Sequence, residues 1–161
     1  MFDATKWNRV RYAVWAPFYD VLVGMLEDKR RRSIELAALK AGEQVLMLGA
    51  GTGLDLEYIT PGPKITAIDI TPAMISRLRR RASRLKLDVD ARVMDGQQLE
   101  FPDASFDVVI LHFVLAVMPD PARALREVSR VLRPDGRVIV LNKFVPDDRQ
   151  PSLLSRCLNP V

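Results

Sequence analysis

From residue 43 onward, short apolar runs alternate with segments of helical periodicity. The apolar runs have the length of strands, and glycine, proline or charged residues bound them. We predict five strands, over QVLML (44–48), KITAID (64–69), VDARVMD (89–95), FDVVILH (106–112) and RVIVLNKF (137–144). Strands that alternate with helices form a parallel sheet, and right-handed crossovers place helices on both of its faces. The alternation therefore predicts an α/β, doubly wound fold.

The segments between these strands are predicted to be helical. One helix is expected to begin at about Gly53, a second covers 71–86, and a third covers 120–133. Thr71 is placed as the N-cap of the second helix because Pro72 suits a first helical position. The sequence PDG at 134–136 predicts a turn.

The first 40 residues have a different pattern, with basic and aromatic residues on two helical pieces that include Trp7 and Trp15. We predict two parts, a helical segment at 1–40 that covers a site or contacts a membrane, and a ligand-binding domain at 41–161. An amphipathic basic helix either packs on the core or lies on a membrane surface.

Composition excludes several classes of protein. The single cysteine, Cys157, rules out an internal disulfide framework. The longest apolar run, 108–118, is shorter than the ~20 residues of a spanning helix, and the N-terminus has no signal-peptide pattern. These observations predict a cytoplasmic protein. The net charge of +4 is concentrated at KRRR (29–32) and at 77–86, which indicates either solvated helix faces or sites for anionic groups.

Three glycines at alternate positions, Gly49, Gly51 and Gly53, follow the first predicted strand. Such a cluster indicates a tight turn or a backbone that a ligand approaches closely. Asp69 ends the next strand, where a carboxylate can accept hydrogen bonds from both ribose hydroxyls of an adenosine-containing ligand. The spacing is G-x-G-x-G rather than the G-x-G-x-x-G of dinucleotide sites, which disfavours a nicotinamide dehydrogenase. Asp95 follows the third strand and is placed to accept from an adenine amino group.

Four ordered segments resemble the class I S-adenosylmethionine-dependent methyltransferases: VLMLGAGTG, AIDITPAMI, VMDGQQLEFPDASFDVVI and ALREVSRVLRPDGRVIVLNKF. The resemblance implies a Rossmann-like sheet with strand order 3-2-1-4-5. It implies S-adenosyl-L-methionine as cofactor, S-adenosyl-L-homocysteine as product, and no metal. The cofactor-binding residues that it implies are Tyr19, Gly49, Ala50, Gly51, Thr52, Gly53, Asp69, Ile70, Met74, Asp95, Gly96, Gln97, Leu111 and His112.

YAVWAPFYD and VLAVMPDPARALREVSRVLRP resemble bacterial phosphatidylethanolamine N-methyltransferases. This likeness implies methylation of a phospholipid amine by a protein bound peripherally to anionic membrane. Alternative interpretations are a methyltransferase for a quinone or other small molecule, and a shortened cofactor-binding protein without catalysis. We expect no nucleic acid as substrate, because no recognition motif accompanies the arginines.

Four residues are candidates for the acceptor side of the reaction: Tyr12, Tyr19, His112 and Lys143. Phenol oxygens can orient an amine, and a histidine can accept a proton. His112 is equally well interpreted as a core histidine that is satisfied by hydrogen bonds. Lys143 and Arg30 are additional candidates for a lipid phosphate.

The family usually continues past the fifth strand with a helix and an antiparallel hairpin, and the sequence to Val161 leaves no room for them. We therefore expect the fifth strand to be a sheet edge. Its apolar sequence makes a poor edge. Three explanations are compatible with this: the sequence is part of a longer polypeptide, the edges pair across a dimer, or the chain is a shortened relative.

Overall fold

The computed structural model of the chain describes residues 26–142. Its five parallel strands have the order β3-β2-β1-β4-β5, so the predicted class and strand order are confirmed. The strands are β1 (Gln44–Leu48), β2 (Lys64–Asp69), β3 (Val89–Val93), β4 (Phe106–His112) and β5 (Leu132–Leu141). The helices are α1 (Glu27–Ala37), α2 (Pro72–Leu85) and α3 (Pro121–Val131), with 3₁₀ segments at Leu54–Tyr58 and Leu115–Val117.

The centre of the sheet is apolar on both faces. Val45 of β1 pairs with Ile65 of β2 and with Val108 of β4, and all three are buried. Successive strand residues point to opposite faces. One face therefore packs against α1, α2 and the first 3₁₀ segment, and the other packs against α3. A strand buried on both faces must be almost wholly apolar, which is why β1 and β4 could be located in the sequence.

The helix predicted from Gly53 is wrong. The chain forms only a 3₁₀ segment, Leu54–Tyr58, and then leaves helical geometry at Ile59. The physical reason lies downstream, where Pro61 and Pro63 flank Gly62 and leave little room for a regular helix. As a result, the glycine loop does not lead into the long helix that the sequence analysis expected.

The turn predicted at 134–136 lies inside β5 as an irregularity. Phe106 pairs with Leu132 and Val108 pairs with Arg137, so the residues between Leu132 and Arg137 bulge out of the ladder. Among residues 26–142, β5 is an edge strand of the sheet, with Val138 and Val140 exposed on one face. Pairing of this edge across a dimer stays a prediction.

Helix α1 is held to the sheet domain by specific polar contacts. The Arg137 guanidinium donates to the Ala37 carbonyl near the end of α1 and to both carboxylate oxygens of Glu43. The rest of the predicted 1–40 segment, through residue 25, lies outside the described residues, so the proposed division of the chain stays a prediction. Within residues 26–142, no helix is both long enough and apolar enough to cross a membrane.

Candidate functional site

The glycine loop after β1 has a backbone that only glycine adopts easily. Gly49, Gly51 and Gly53 have φ angles of +69°, +55° and +77°, all left-handed. A Cβ atom at Gly49 would lie 2.2 Å from the Cγ2 of Val114. Backbone conformation and close packing therefore both require glycine at this position.

Asp69 closes the loop from the neighbouring strand. Its Oδ2 accepts from the Gly51 N–H at 3.0 Å, and its Oδ1 accepts from the Thr71 N–H at 2.8 Å. Burial nevertheless raises the pKa of the Asp69 carboxyl. No cation lies against Asp69 in the described part of the chain, so its remaining lone pairs are available to a ligand with hydroxyl donors.

The carboxyl ends of β1, β2, β3 and β4 surround one cavity. It is a cleft open to solvent on one side, and its empty space, counted together with the adjoining solvent, is about 780 Å³. Its lining residues are Leu48, Gly49, Gly51, Asp69, Ile70, Thr71, Met74, Met94, Asp95, Gly96, Gln97, His112, Phe113, Val114, Val117, Met118 and Pro119. This position, outside the carboxyl ends where the strand order reverses, is the usual ligand site of doubly wound sheets.

Asp95 and Gln97 form a second polar group in the cavity wall. The Asp95 Oδ1 accepts from the backbone N–H of Gln97 at 2.9 Å and from its side-chain amide at 3.1 Å. The Gln97 Oε1 accepts from the Asp120 N–H at 2.8 Å. These bonds fix both side chains, as recognition of a flat heterocycle with an amino donor requires.

The opposite wall, formed by residues 113–119, is apolar. Phe113, Val114, Val117, Met118 and Pro119 line the cavity after the end of β4. Packing is tight where this wall meets the polar side, because a Cβ at Gly96 would lie 2.8 Å from the Met118 Cε atom. The cavity therefore combines two oriented carboxylates, those of Asp69 and Asp95, with one apolar wall.

A smaller polar cavity lies behind the glycine loop. Arg30 of α1, Asp55 and His112 line it together with loop residues. The Arg30 Nη1 pairs with the Asp55 Oδ1 at 2.8 Å, and both side chains are almost fully buried. Burial alone would raise the pKa of Asp55, but His112 and Arg30 hold it below its usual range. The Arg30 Nε is buried and has no hydrogen-bond partner among residues 26–142.

His112 links the same cluster to α1. Its Nε2 lies 2.9 Å from the Ser33 hydroxyl. Its Nδ1 lies 3.1 Å from the Asp55 Oδ2, although this contact is off the line of a well-formed hydrogen bond. The side chain is 2% exposed. His112 is therefore packed between two polar partners, and its residue contributes to the walls of both cavities.

The structure brings most of the predicted cofactor-binding residues together. The main cavity is lined by Gly49, Gly51, Asp69, Ile70, Met74, Asp95, Gly96, Gln97 and His112, and the smaller one by Ala50 and Thr52 as well. Gly53 and Leu111 line neither. Gly53 packs against Leu78 of α2, and Leu111 is fully buried on the α3 face. Tyr12, Tyr19 and Lys143 lie outside the described residues.

Two features of the site differ from the sequence analysis. Arg30 was expected to reach a lipid phosphate, but it is 5% exposed and paired with Asp55. Asp55 itself was missed, because its partners lie 25 and 57 residues away in the chain. A buried pair so distant in sequence leaves no periodic pattern. The one local signal is that Asp55 follows the glycine loop directly, two residues after Gly53.

Between residues 26 and 142, no three histidine, cysteine or acidic side chains come close enough together to hold a metal ion. The polar groups of the two cavities are instead suited to an organic ligand with hydroxyl, amino and carboxylate groups.

Residues 46–140 match the family model described as "Methyltransferase domain". The chain belongs to this family. S-adenosyl-L-methionine, the cofactor expected from the sequence, is thereby confirmed as the family's methyl donor. The cavity has groups that such a ligand needs, because Asp69 lines it without a neighbouring cation and keeps lone pairs for hydroxyl donors.

Similar proteins include phospholipid and quinone methyltransferases. The chain is 35% identical over 138 residues to a phosphatidylethanolamine N-methyltransferase of Cereibacter sphaeroides, covering 84% of this chain and 68% of that protein. It is 38% identical over 139 residues to a demethylmenaquinone methyltransferase of Thermus thermophilus, covering 81% of this chain and 63% of that protein. Against the crystal structure of the YcgJ protein of Bacillus subtilis, the TM-score is 0.67 at 30% identity, covering 71% of this chain and 50% of that one. The chain thus spans between half and about two thirds of these relatives.

Proposed function

We propose that this chain transfers a methyl group from S-adenosyl-L-methionine to the amine headgroup of a phospholipid. The observation that carries the proposal is the 35% identity to a phosphatidylethanolamine N-methyltransferase, over 84% of the chain. The arrangement of the two cavities supports it, because their groups match the parts of the donor one by one. The site residues named below are parts of the same proposal.

Asp69 is proposed to accept hydrogen bonds from the ribose hydroxyls, since its carboxylate lines the cavity without a neighbouring cation. Asp95 and Gln97 are proposed to hold the adenine edge through the oxygen and amide groups that they already orient. The methionine end is proposed to lie along Gly49 and Gly51, where the charge of Arg30, which lines the same smaller cavity, would attract its carboxylate.

The bound cofactor supplies an electrophilic methyl group attached to a positively charged sulfur. An apolar wall such as Val114, Val117 and Met118 offers water no side-chain hydrogen bond, so a bound ligand would readily displace water from it. Exclusion of water favours the transfer, since the positive charge spreads out as the reaction proceeds and water stabilises the localised charge. Positioning an acceptor nitrogen in line with the methyl group supplies the other large contribution. An amine must first lose a proton, and Tyr12, Tyr19, His112 and Lys143 stay the candidates for accepting it.

A quinone ring is the second candidate for the acceptor. It is favoured by the 38% identity to a demethylmenaquinone methyltransferase. Both acceptors are lipid-soluble, so both are compatible with an apolar cavity wall. They differ at the reacting atom, which is an amine nitrogen in one case and a ring carbon in the other.

Two measurements test the proposal. Calorimetry with S-adenosyl-L-homocysteine measures donor-site binding in the parent protein and in Asp69→Ala, and we expect the variant to bind far more weakly. Mass spectrometry then follows transfer of an isotope-labelled methyl group to vesicles that contain phosphatidylethanolamine or a naphthoquinol lacking the ring methyl group. We expect label on the amine nitrogen.

Each alternative has a distinct outcome. If the label appears only on the quinol carbon, the methyl acceptor is the quinone and not the phospholipid. Binding of S-adenosyl-L-homocysteine without any labelled product indicates a cofactor-binding protein. If Asp69→Ala and the parent bind S-adenosyl-L-homocysteine with equal affinity, the proposed contact between Asp69 and the ribose is contradicted.

A further inference from the structure

Helix α2 has an unusual charge composition. Residues 72–86 contain five arginines and one lysine and no acidic residue. The other two helices are balanced differently: α1 combines basic residues with Glu27, Asp28 and Glu35, and α3 pairs Arg130 with Glu127. Like charges three or four residues apart on a helix lower its stability. The composition of α2 therefore opposes its own folding, which a helix selected only for stability would avoid.

Three of these arginines form one exposed row. Arg77, Arg80 and Arg84 are spaced by three and then four residues, so they form a line along α2 that flanks its buried face, with Arg80 farthest from the buried residues Met74 and Leu78. Arg80 and Arg84 are exposed and Arg77 is partly exposed. The row extends ~10 Å along the helix, at 1.5 Å per residue.

Few acidic side chains neutralise this row. Glu57 pairs with both Arg81 and Arg84, so a single carboxylate serves two guanidinium groups. Arg77 and Arg80 form no ion pair with any residue between 26 and 142, and the Arg80 contact is a hydrogen bond to Ser76. By contrast, the exposed arginines of α1 each have a carboxylate within the same helix, Arg31 with Asp28 and Arg32 with Glu35.

The position of the row connects it to the cavity. Thr71 and Met74, at the beginning of α2, line the main cavity. Arg77 follows Met74 by three residues, which is slightly less than one helical turn. An anionic surface that binds the row would therefore lie beside this end of the cavity. A helix that lies flat on such a surface presents several cations to it at once, and each of them adds to the attraction.

We infer that the Arg77, Arg80 and Arg84 row is a docking surface for the anionic phospholipid headgroups of a bilayer. This inference rests on the proposed function, in that it places the lipid-bound acceptor beside the cavity. The occupant is the membrane rather than a nucleic acid, because the chain has no nucleic-acid recognition motif and its proposed acceptors both reside in lipid. Removal of one surface cation weakens such binding about fivefold, so removal of three weakens it on the order of 100-fold.

The experiment compares two triple variants of the full chain. The test variant is Arg77→Gln/Arg80→Gln/Arg84→Gln. The control is Lys29→Gln/Arg31→Gln/Arg32→Gln, which removes the same charge from exposed positions of α1. Glutamine is a good helix former, and circular dichroism with thermal unfolding verifies both folds. Co-sedimentation then measures binding to vesicles of phosphatidylglycerol or phosphatidylcholine at low and high salt.

We expect the test variant to lose on the order of 100-fold in binding to phosphatidylglycerol vesicles, while the control loses much less. We also expect both to keep parental affinity for S-adenosyl-L-homocysteine. Equal losses in the two variants, or unchanged binding in the test variant, overturn the inference. Tighter, salt-sensitive binding of the parent to a single-stranded RNA than to the vesicles also overturns it. The vesicle assay requires no methyl transfer, so failure of the proposed reaction and failure of the docking surface give different results.

Discussion

The two edges of the sheet use their carboxylates in opposite ways. At the amino ends of the strands, Glu43 forms an ion pair with Arg137, and Asp107 forms one with Arg133. At the carboxyl ends, Asp69 and Asp95 accept hydrogen bonds from amide N–H groups and pair with no cation among the described residues. Hydrogen bonding from Arg137 lowers the pKa of Glu43 to about 2, whereas burial raises the pKa of Asp69.

This difference separates stability from binding. A carboxylate with an arginine partner has its lone pairs occupied, and the ion pair connects two segments of the chain. A carboxylate that accepts hydrogen bonds from uncharged donors and has no arginine partner keeps acceptor capacity for a ligand. For Asp69, burial raises the pKa because it disfavours the charged form. The carboxylates of the amino edge therefore stabilise the fold, and those of the carboxyl edge keep acceptor capacity for a ligand.

The largest effect is expected from an alanine at the glycine loop. In Gly49→Ala the new Cβ would lie 2.2 Å from Val114 at a φ of +69°, so we expect the free energy of unfolding to fall by about 2–5 kcal/mol. S-adenosyl-L-homocysteine binding is lost with it. The matched control is Gly42→Ala at the amino edge, where φ is +85° but nothing lies within 4 Å, and only the ~1–2 kcal/mol of backbone strain is expected. Urea unfolding measures both, and equal losses would show that Val114 yields to the added methyl group.

Two aspartate variants, one at each edge, should have opposite effects: one should lower ligand affinity and the other should lower stability. Asp69→Ala removes the acceptor proposed for the ribose, and we expect affinity for S-adenosyl-L-homocysteine to fall roughly 10- to 100-fold, the usual value of a charged hydrogen bond. Asp107→Ala leaves the Gln44 N–H and Arg133 without their partner and should cost about 1–3 kcal/mol of stability with little change in affinity. Calorimetry and urea unfolding on both variants test this, and a large loss of affinity in Asp107→Ala would contradict the separation.

As the pH falls, the carboxyl edge should be affected first and the amino edge at a lower pH. The folded pKa of Glu43, about 2, lies below its ordinary value of 4.5. Its stabilising contribution is therefore present above pH 4.5 and is lost as the pH falls from 4.5 toward 2. Asp69 has the opposite shift, so it takes up its proton at a higher pH than an exposed aspartate and then no longer serves as a full acceptor.

We accordingly expect affinity for S-adenosyl-L-homocysteine to decrease on acidification before stability does. Calorimetry and urea unfolding over the same pH series provide the comparison. Arg137→Gln should flatten the acid dependence of stability and leave that of binding unchanged. Simultaneous loss of both properties in the parent would mean that one group controls them.

Sequence patterns predicted the elements whose signals are local. The apolar runs of β1, β2 and β4 end at the predicted residues, and Pro72 with an apolar stripe located α2. Asp69 was placed correctly at the end of β2, because the carboxyl ends of parallel strands meet at one edge. These features depend on neighbouring residues or on the general rules of a doubly wound sheet.

Features that depend on distant contacts were not predicted. The Arg30–Asp55 pair joins residues 25 positions apart, and nothing in the spacing of two charges reveals such a contact. The cavity wall after β4 was also missed, because the run 108–118 is apolar except for His112 and periodicity does not distinguish a core strand from the side of a cavity. The helix expected after Gly53 failed because the effect of Pro61 and Pro63 on so short a segment was not considered.

That short 3₁₀ segment has a thermodynamic consequence. A long helix after the glycine loop would direct its positive dipole end at the loop, and here a full guanidinium charge, Arg30, lies there instead. Its source is α1, a different part of the chain, which Asp55 and His112 hold in place. On the proposed contact of Arg30 with the donor, attachment of α1 and occupancy of the loop are linked equilibria, and by reciprocity each strengthens the other to the same degree. We therefore expect whatever displaces α1 to act as an antagonist of the methyl donor, without touching the donor itself.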